Sequence, residues 1–177
     1  MRRLTLLRHA KTERDAPSGK DRDRRLDDRG RSDGAEMGRW LALHGYHPDI
    51  ALVSSAVRAQ QTWDLLRVAL PSTQARHLPE LYGAEISELL RIIHGMAATD
   101  PQHLLIVAHN PGLHELALSL ISSGDPAGRH VLNSNLPTAG VAVIDFTTDH
   151  WDDIRLRSGQ LERFVSPKLL RDGTGSV

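Results

Sequence analysis

The sequence predicts an α/β protein, a three-layer α/β/α sandwich around a mostly parallel sheet with an antiparallel edge strand. Three observations carry this expectation. Short apolar runs of strand length alternate with amphipathic helical stretches through most of the 177 residues, the pattern of a parallel sheet covered on both faces. The last two apolar runs have only a short polar turn between them, so they read as a hairpin at the sheet's edge. A content of 40 % hydrophobic and 25 % charged residues is ordinary for a globular chain, which excludes disorder and collagen and suits one well-buried core.

The elements follow in order. Residues 3–8 read as a buried strand ending in Arg8-His9. Residues 10–26 have no period and contain Pro17, Ser18 and Gly19, so they form a loop, long enough for a compact domain to suggest a function. Residues 28–43 place Ala35, Met37, Trp40, Leu41 and Leu43 at helical spacing, with acids at the start and Gly45 beyond the end. Residues 49–53 form a strand, after which Ser54 or Ser55 caps a helix over 56–70. An extended stretch at 75–78 leads to a helix at 85–96, where Ile86, Leu89, Leu90 and Ile93 share a face.

The clearest buried strand is 103–108. His109-Asn110-Pro111-Gly112 breaks it and opens a helix to about residue 121, with Pro111 in the first turn. A Gly-, Pro- and Asn-rich loop is expected over 122–138, then strands at 140–146 and 154–161. Residues 1–170 should make a single domain and 171–177 a frayed tail.

No cysteine is present, which removes disulfides, thiolate nucleophiles and Cys-ligated metals. The apolar stretch after Met1 is too short for a signal peptide, and no run approaches a membrane span. The expectation is a cytoplasmic monomer without membrane attachment. The net charge of zero conceals an asymmetry. Residues 1–31 hold eleven of the 22 basic and six of the 22 acidic side chains, a local excess of five positive charges. Nucleic acid is not the expected partner, because no aromatic residue precedes Trp40 and the overall charge is neutral. A small anion fits better.

In parallel α/β folds, ligands bind beyond the carboxyl ends of the strands. The residues there are Arg8-His9, Ser54 to Arg58, Pro79-Glu80 and His109-Asn110. Two arginines and two histidines converging on one crevice form an anion pocket, and the planar forks of arginine match phosphate oxygens. A neutral imidazole in that pocket can attack phosphorus and form a covalent phosphohistidine. His9 is the candidate nucleophile, with Arg8, Arg58 and a protonated His109 binding the phosphoryl oxygens. No metal or cofactor is expected: HExxH, P-loop, GxGxxG and GxSxG patterns are all absent.

These segments resemble those of a known family. Leu6-Leu7-Arg8-His9-Ala10-Lys11 is similar to the RHG/RHA signature of the histidine phosphatase superfamily, which includes phosphoglycerate mutases. Ser54 to Thr62 resembles its SSxxxRxxQT segment, and Val107-Ala108-His109-Asn110-Pro111 its second-histidine segment. Ala10, the DxxRxLxxxG-like run from Asp21 through Arg24 and Leu26 to Gly30, and Leu81-Tyr82-Gly83-Ala84 resemble the SixA-type branch of small phosphohistidine phosphatases. The resemblance runs from about Leu4 to Gly140. It implies a phosphoglycerate mutase-like fold, no cofactor, and the roles already given to His9, Arg8, Arg58 and His109.

Larger members place a glutamate after the third strand as general acid. Glu80 is near that point, although aligning on Tyr82-Gly83 puts Pro79 there, one residue off. Glu80 is carried as a candidate acid, and Arg24 as a candidate substrate-binding residue through the DxxRxL-like stretch. A site without an acid suits a P–N bond, because imidazole leaves more readily than an alkoxide. The expected function is therefore dephosphorylation of phosphohistidine on a protein. The alternatives are a small-molecule phosphomonoesterase of the same fold and a non-catalytic phosphate-binding module.

Overall fold

The computed structural model describes residues 1–173. Seven strands form one sheet in the order β3-β2-β4-β1-β6-β7-β5. They are β1 (Arg2–Arg8), β2 (Ile50–Ser54), β3 (Gln74–Leu78), β4 (His103–Ala108), β5 (Ile121–Gly124), β6 (Val141–Phe146) and β7 (Gly159–Val165). β1 to β4 pair in parallel, β6 runs antiparallel to both β1 and β7, and β5 closes the sheet parallel to β7. The antiparallel pairing thus enters on the side of the last two long strands, with β5 added beyond them.

The pleat separates two cores. Leu4, Leu6, Ile50, Leu52, Leu104, Ile106, Ala142 and Ile144 pack on one face with Leu89, Ile93, Leu113 and Leu116. These last four belong to α3 (Ile86–Gly95) and α4 (Gly112–Leu120). Their strand neighbours Leu7, Ala51, Val53, Leu105, Val107, Val141 and Val143 pack on the other face with Met37, Trp40, Leu41, Trp63 and Leu66. Those come from α1 (Asp28–Leu43) and α2 (Val57–Leu66). Period-two alternation with both sets apolar is what a sheet buried on both faces requires, and the result is the expected three-layer sandwich.

α1 starts where Asp27 accepts a hydrogen bond from the Gly30 N–H at 2.7 Å. Gly30 is required by close approach, since a Cβ there would lie 1.9 Å from the Lys11 carbonyl oxygen. That contact belongs to the base of the 10–26 loop, which is drawn together by the Thr12–Leu26 bridge and by Glu13 N–H donating to Arg25 O at 2.9 Å. The loop is therefore a pinned excursion, with a short 3-10 turn at Asp21–Asp23.

Several expectations change. α2 stops at Leu66 rather than residue 70, and its N-cap is Ala56, which makes no side-chain cap; Ser54 and Ser55 have other partners. Pro111 is the residue before α4, not inside its first turn. The supposed loop at 122–138 contains most of β5 and all of α5 (Pro126–Ser134), which Asp125 caps by accepting from Gly128 N–H at 2.8 Å. An Asp-Pro start signal was present there within a loop-like composition.

The strand expected at 154–161 begins at Gly159. Arg157 has φ of 62°, a left-handed conformation that ends any strand, and Ile154 is buried as a core residue following a 3-10 turn at Trp151–Asp153. Of the tail expected to fray, Arg171 closes α6 (Pro167–Arg171), and 174–177 lie outside the described residues. Among the described residues, no helix is long and apolar enough to cross a membrane.

Candidate active site

The sheet order explains why distant residues meet. β1, β4 and β2 are adjacent, with Arg8 opposite Ala108 and Val53 opposite Val107. Their carboxyl ends are level, so the residues that follow, His9, His109 and the start of α2, open on one crevice.

His9 is buried, with 6 % exposure. Its Nδ1 lies 2.8 Å from the Ala10 carbonyl oxygen, an acceptor only, so Nδ1 carries the proton and Nε2 keeps its lone pair. The peptide beyond is fixed as well: Ala10 N–H donates to Thr62 Oγ1 at 2.9 Å, and the Thr62 hydroxyl donates to Arg58 O at 2.7 Å. Burial, assisted by His109, Arg58 and Arg8 and opposed by the Ala10 bond, lowers the His9 pKa to about 3. At neutral pH the ring is therefore unprotonated.

His109 stands beside it, with ring centroids 5.3 Å apart. Its Nε2 is 2.7 Å from Ser54 Oγ, so Ser54 orients the second histidine. Burial first, then Arg58, lowers its pKa to about 4. The expectation of a protonated His109 is thus corrected for the free protein: burial first, and then the arginines that would bind phosphate, keep this ring neutral, and a bound anion would offset the arginines' part.

Arg58 is buried at the start of α2. Its Nη1 donates to the Asp21 carbonyl at 2.9 Å and its Nη2 to Asp21 Oδ2 at 3.0 Å. The same Oδ2 accepts from the Tyr82 hydroxyl at 2.7 Å, and Asp21 Oδ1 accepts from Arg24 Nε at 3.0 Å. The Tyr82 bond, with Arg58 and Arg24 adding to it against burial, holds the Asp21 carboxyl at a pKa of about 2. Arg8 has no carboxylate among its partners; Nη1 donates to Leu136 O at 3.2 Å. Burial and the nearby Arg58 charge lower its pKa.

Among the described residues, five buried side-chain polar atoms lack a hydrogen-bond partner. Four of them belong to Arg8, Arg58, His109 and Asn110. The unmatched N–H groups of Arg8 and Arg58 suit an anionic ligand, whereas Asn110 Oδ1 is an acceptor and does not. A cleft of about 490 Å³ opens beside His109 and is walled by Glu85, Ser87, Asn110 and Glu115.

The structure therefore brings Arg8, His9, Arg58 and His109 together. Arg24 reaches the group through Asp21, and also donates to Thr12 Oγ1 at 2.8 Å. Glu80 is exposed on the 3-10 turn Pro79–Leu81, and its side chain makes no hydrogen bond or ion pair among the described residues. The sequence assigns no place in the site to Asp21, Tyr82 and Thr62, and offers Ser54 only as a helix cap. All four lie within or beside the motif segments, but nothing in the motifs says what each side chain touches.

Residues 4–89 match the family model of the histidine phosphatase superfamily, branch 1. An uncharacterised protein of Mycobacterium leprae is 31 % identical over 170 residues, covering 92 % of this chain and all of the relative. Among solved structures, the SixA protein of Agrobacterium tumefaciens, provisionally named a phosphohistidine phosphatase, is 30 % identical with a TM-score of 0.78. That match covers 94 % of this chain and 99 % of the other. The SixA protein of Nakamurella multipartitia, provisionally named in the same way, is 26 % identical. Its TM-score is 0.76, over 94 % of this chain and 96 % of that one.

Proposed function

The chain belongs to the histidine phosphatase superfamily, in its SixA-type branch, and is a phosphatase; from that premise we propose that it hydrolyses phosphohistidine on a protein through a phosphoryl intermediate on His9. The observation that carries the reading is the state of His9: neutral, buried, and held through Nδ1 so that Nε2 is the free nucleophile. The Nε2 lone pair forms a bond to phosphorus as the P–N bond of the substrate breaks, its electron pair returning to the departing imidazole. Arg8, Arg58 and His109 neutralise charge on the equatorial oxygens. Water then attacks phosphorus, and the electron pair of the second P–N bond returns to His9.

The choice of a P–N substrate rests on the carboxyl groups. An alkoxide needs a proton from the site, but Asp21, the carboxyl bonded to Arg58, stays ionised down to a pH of about 2 and has none to give at neutral pH. Glu80 is exposed and has no partner among the described residues. The open cleft beside His109 has room for a side chain presented by another protein.

The test is a rapid quench with a ³²P-phosphohistidine protein. Wild type should carry acid-labile, base-stable label, and His9→Ala none. Absence of label on wild type under single-turnover conditions, with phosphate binding intact, would leave a phosphate-binding module. Faster turnover of a sugar phosphate, lost in Glu80→Ala, would favour the phosphomonoesterase.

A further inference from the structure

Asp21 is the carboxylate of the site bonded directly to Arg58, and its charge opposes phosphate. His9 and Arg58 form the floor of the site, with 6 % exposure each, whereas the Asp21 side chain is 52 % exposed. In-line attack from His9 sends the leaving group away from the buried floor toward the exposed side of the site, and Asp21 is half exposed while bonded to Arg58. The carboxylate is fixed by donors from three parts of the chain: Arg58 at the start of α2, Tyr82 after the 3-10 turn that follows β3, and Arg24 of its own loop. Tyr82 is held in turn, edge-on to the His109 ring with centroids 5.5 Å apart and beneath the Arg22 guanidinium at 4.9 Å. The charge of Asp21 also reaches His109.

We infer that Asp21 is a specificity-determining residue of this site: its half-exposed carboxylate favours a phosphoryl group carried on a protonated imidazole over one carried on an alcohol. The inference rests on the reading of His9 as a phosphoryl acceptor. A phosphorylated imidazole takes up a single ring proton, on the far nitrogen, and becomes a cation when it does. A fixed anion beside it raises the fraction of bound substrate in that form. When the P–N bond breaks, the electron pair returns to the near nitrogen and the ring departs neutral, keeping the far N–H, so no proton is required from the protein. An alcohol ester gains nothing from Asp21, which is ionised and can protonate no alkoxide. Glu85 and Glu115, both exposed and without an ion-pair partner among the described residues, line the cleft beside His109 and add negative charge there.

The test uses the full chain with two peptides identical except for phosphohistidine or phosphoserine. In Asp21→Asn the ratio of their kcat/KM values should fall about tenfold at pH 8, and the alkaline limb for the phosphohistidine peptide should move down by about one pH unit. Using the ratio cancels any change in Arg58 common to both peptides. Tyr82→Phe, which keeps the carboxylate but releases one of its donors, should act in the same direction with a smaller effect. Equal losses on both peptides with the limb unmoved would overturn the inference and reduce Asp21 to positioning Arg58. If wild type neither labels on His9 nor hydrolyses the phosphohistidine peptide, the phosphatase reading fails first and the inference falls with it.

Discussion

The two ends of β1 carry similar residues to opposite purposes. At its start, Arg2 donates through Nε and Nη2 to Asp100 at 2.8 to 3.1 Å, and Arg3 makes two bonds of 2.7 Å to Asp145. At its finish, Arg8 has only a carbonyl, and Arg58 beside it shares a carboxylate with Tyr82 and Arg24. β4 repeats the contrast in histidines. His103 at its start lies 2.7 Å from the Thr5 hydroxyl, whereas His109 beyond its finish has an unpartnered Nδ1. Burial lowers the pKa of both to about 4. A depressed histidine pKa therefore does not mark the active end; a half-buried Arg8 with no carboxylate partner among the described residues, beside an Arg58 whose carboxylate is shared, does.

The comparison is broken most directly at its histidines. His9→Ala should reduce turnover by at least about 10⁴-fold, while His103→Ala should leave kcat within a factor of two and cost about 1–3 kcal/mol through the buried Thr5 hydroxyl. Chemical denaturation and initial rates separate these outcomes, and a comparable loss of turnover in both would void the distinction between the ends.

The arginines should divide in the same way. Arg58→Ala is expected to lower kcat/KM by about 10²–10³-fold with little loss of stability, since it removes a buried cation. Arg3→Ala should leave kcat/KM unchanged and lower stability by about 1–2 kcal/mol, a partly exposed bidentate pair being lost.

Acid should affect both ends alike. His9, His103 and His109 have folded pKa values of about 3, 4 and 4, below the ordinary 6.5. The unfolded chain therefore takes up protons first. Stability is complete above pH 6.5 and falls as the pH drops toward 4, by up to about 1.4 kcal/mol per pH unit for each histidine. Replacing His103 or His109 by Gln should flatten that slope equally, measured by unfolding at pH 4.5 to 7. Activity should show no acidic limb from His9 above pH 4.

The smallest expected effect is the most selective. Inorganic phosphate at about tenfold its Kd should raise Tm by about 3–5 °C. Arg8→Ala should abolish the shift and Arg2→Ala should not, which scanning calorimetry would decide.

How much of this was readable in the chain follows from range. The alternation at 103–108 and the Asp27 start of α1 are local, and residues 28–43 came out as read. The misplaced strand at 154–161 failed because Ile154 and Leu156 imitate a strand pattern, while the conformation of Arg157 is set by a turn. α5 was hidden by Gly and Asn within it, although Asp125-Pro126 marks its start.

The four central residues of the candidate site were legible because each lies at or just beyond the carboxyl end of a strand, and parallel strands paired in register bring those ends together. The sequence by itself therefore determined the layers, the two apolar faces of the sheet and the company of Arg8, His9, Arg58 and His109. Only the tertiary structure decided which cations are paired. Whether an arginine meets Asp145 or a bare carbonyl depends on contacts across more than a hundred residues, and so does the neutrality of His9, which burial imposes. The same holds for Asp21: within the sequence it is one acid among several basic neighbours, and only the fold of the 10–26 loop sets its carboxylate against Arg58 and Tyr82.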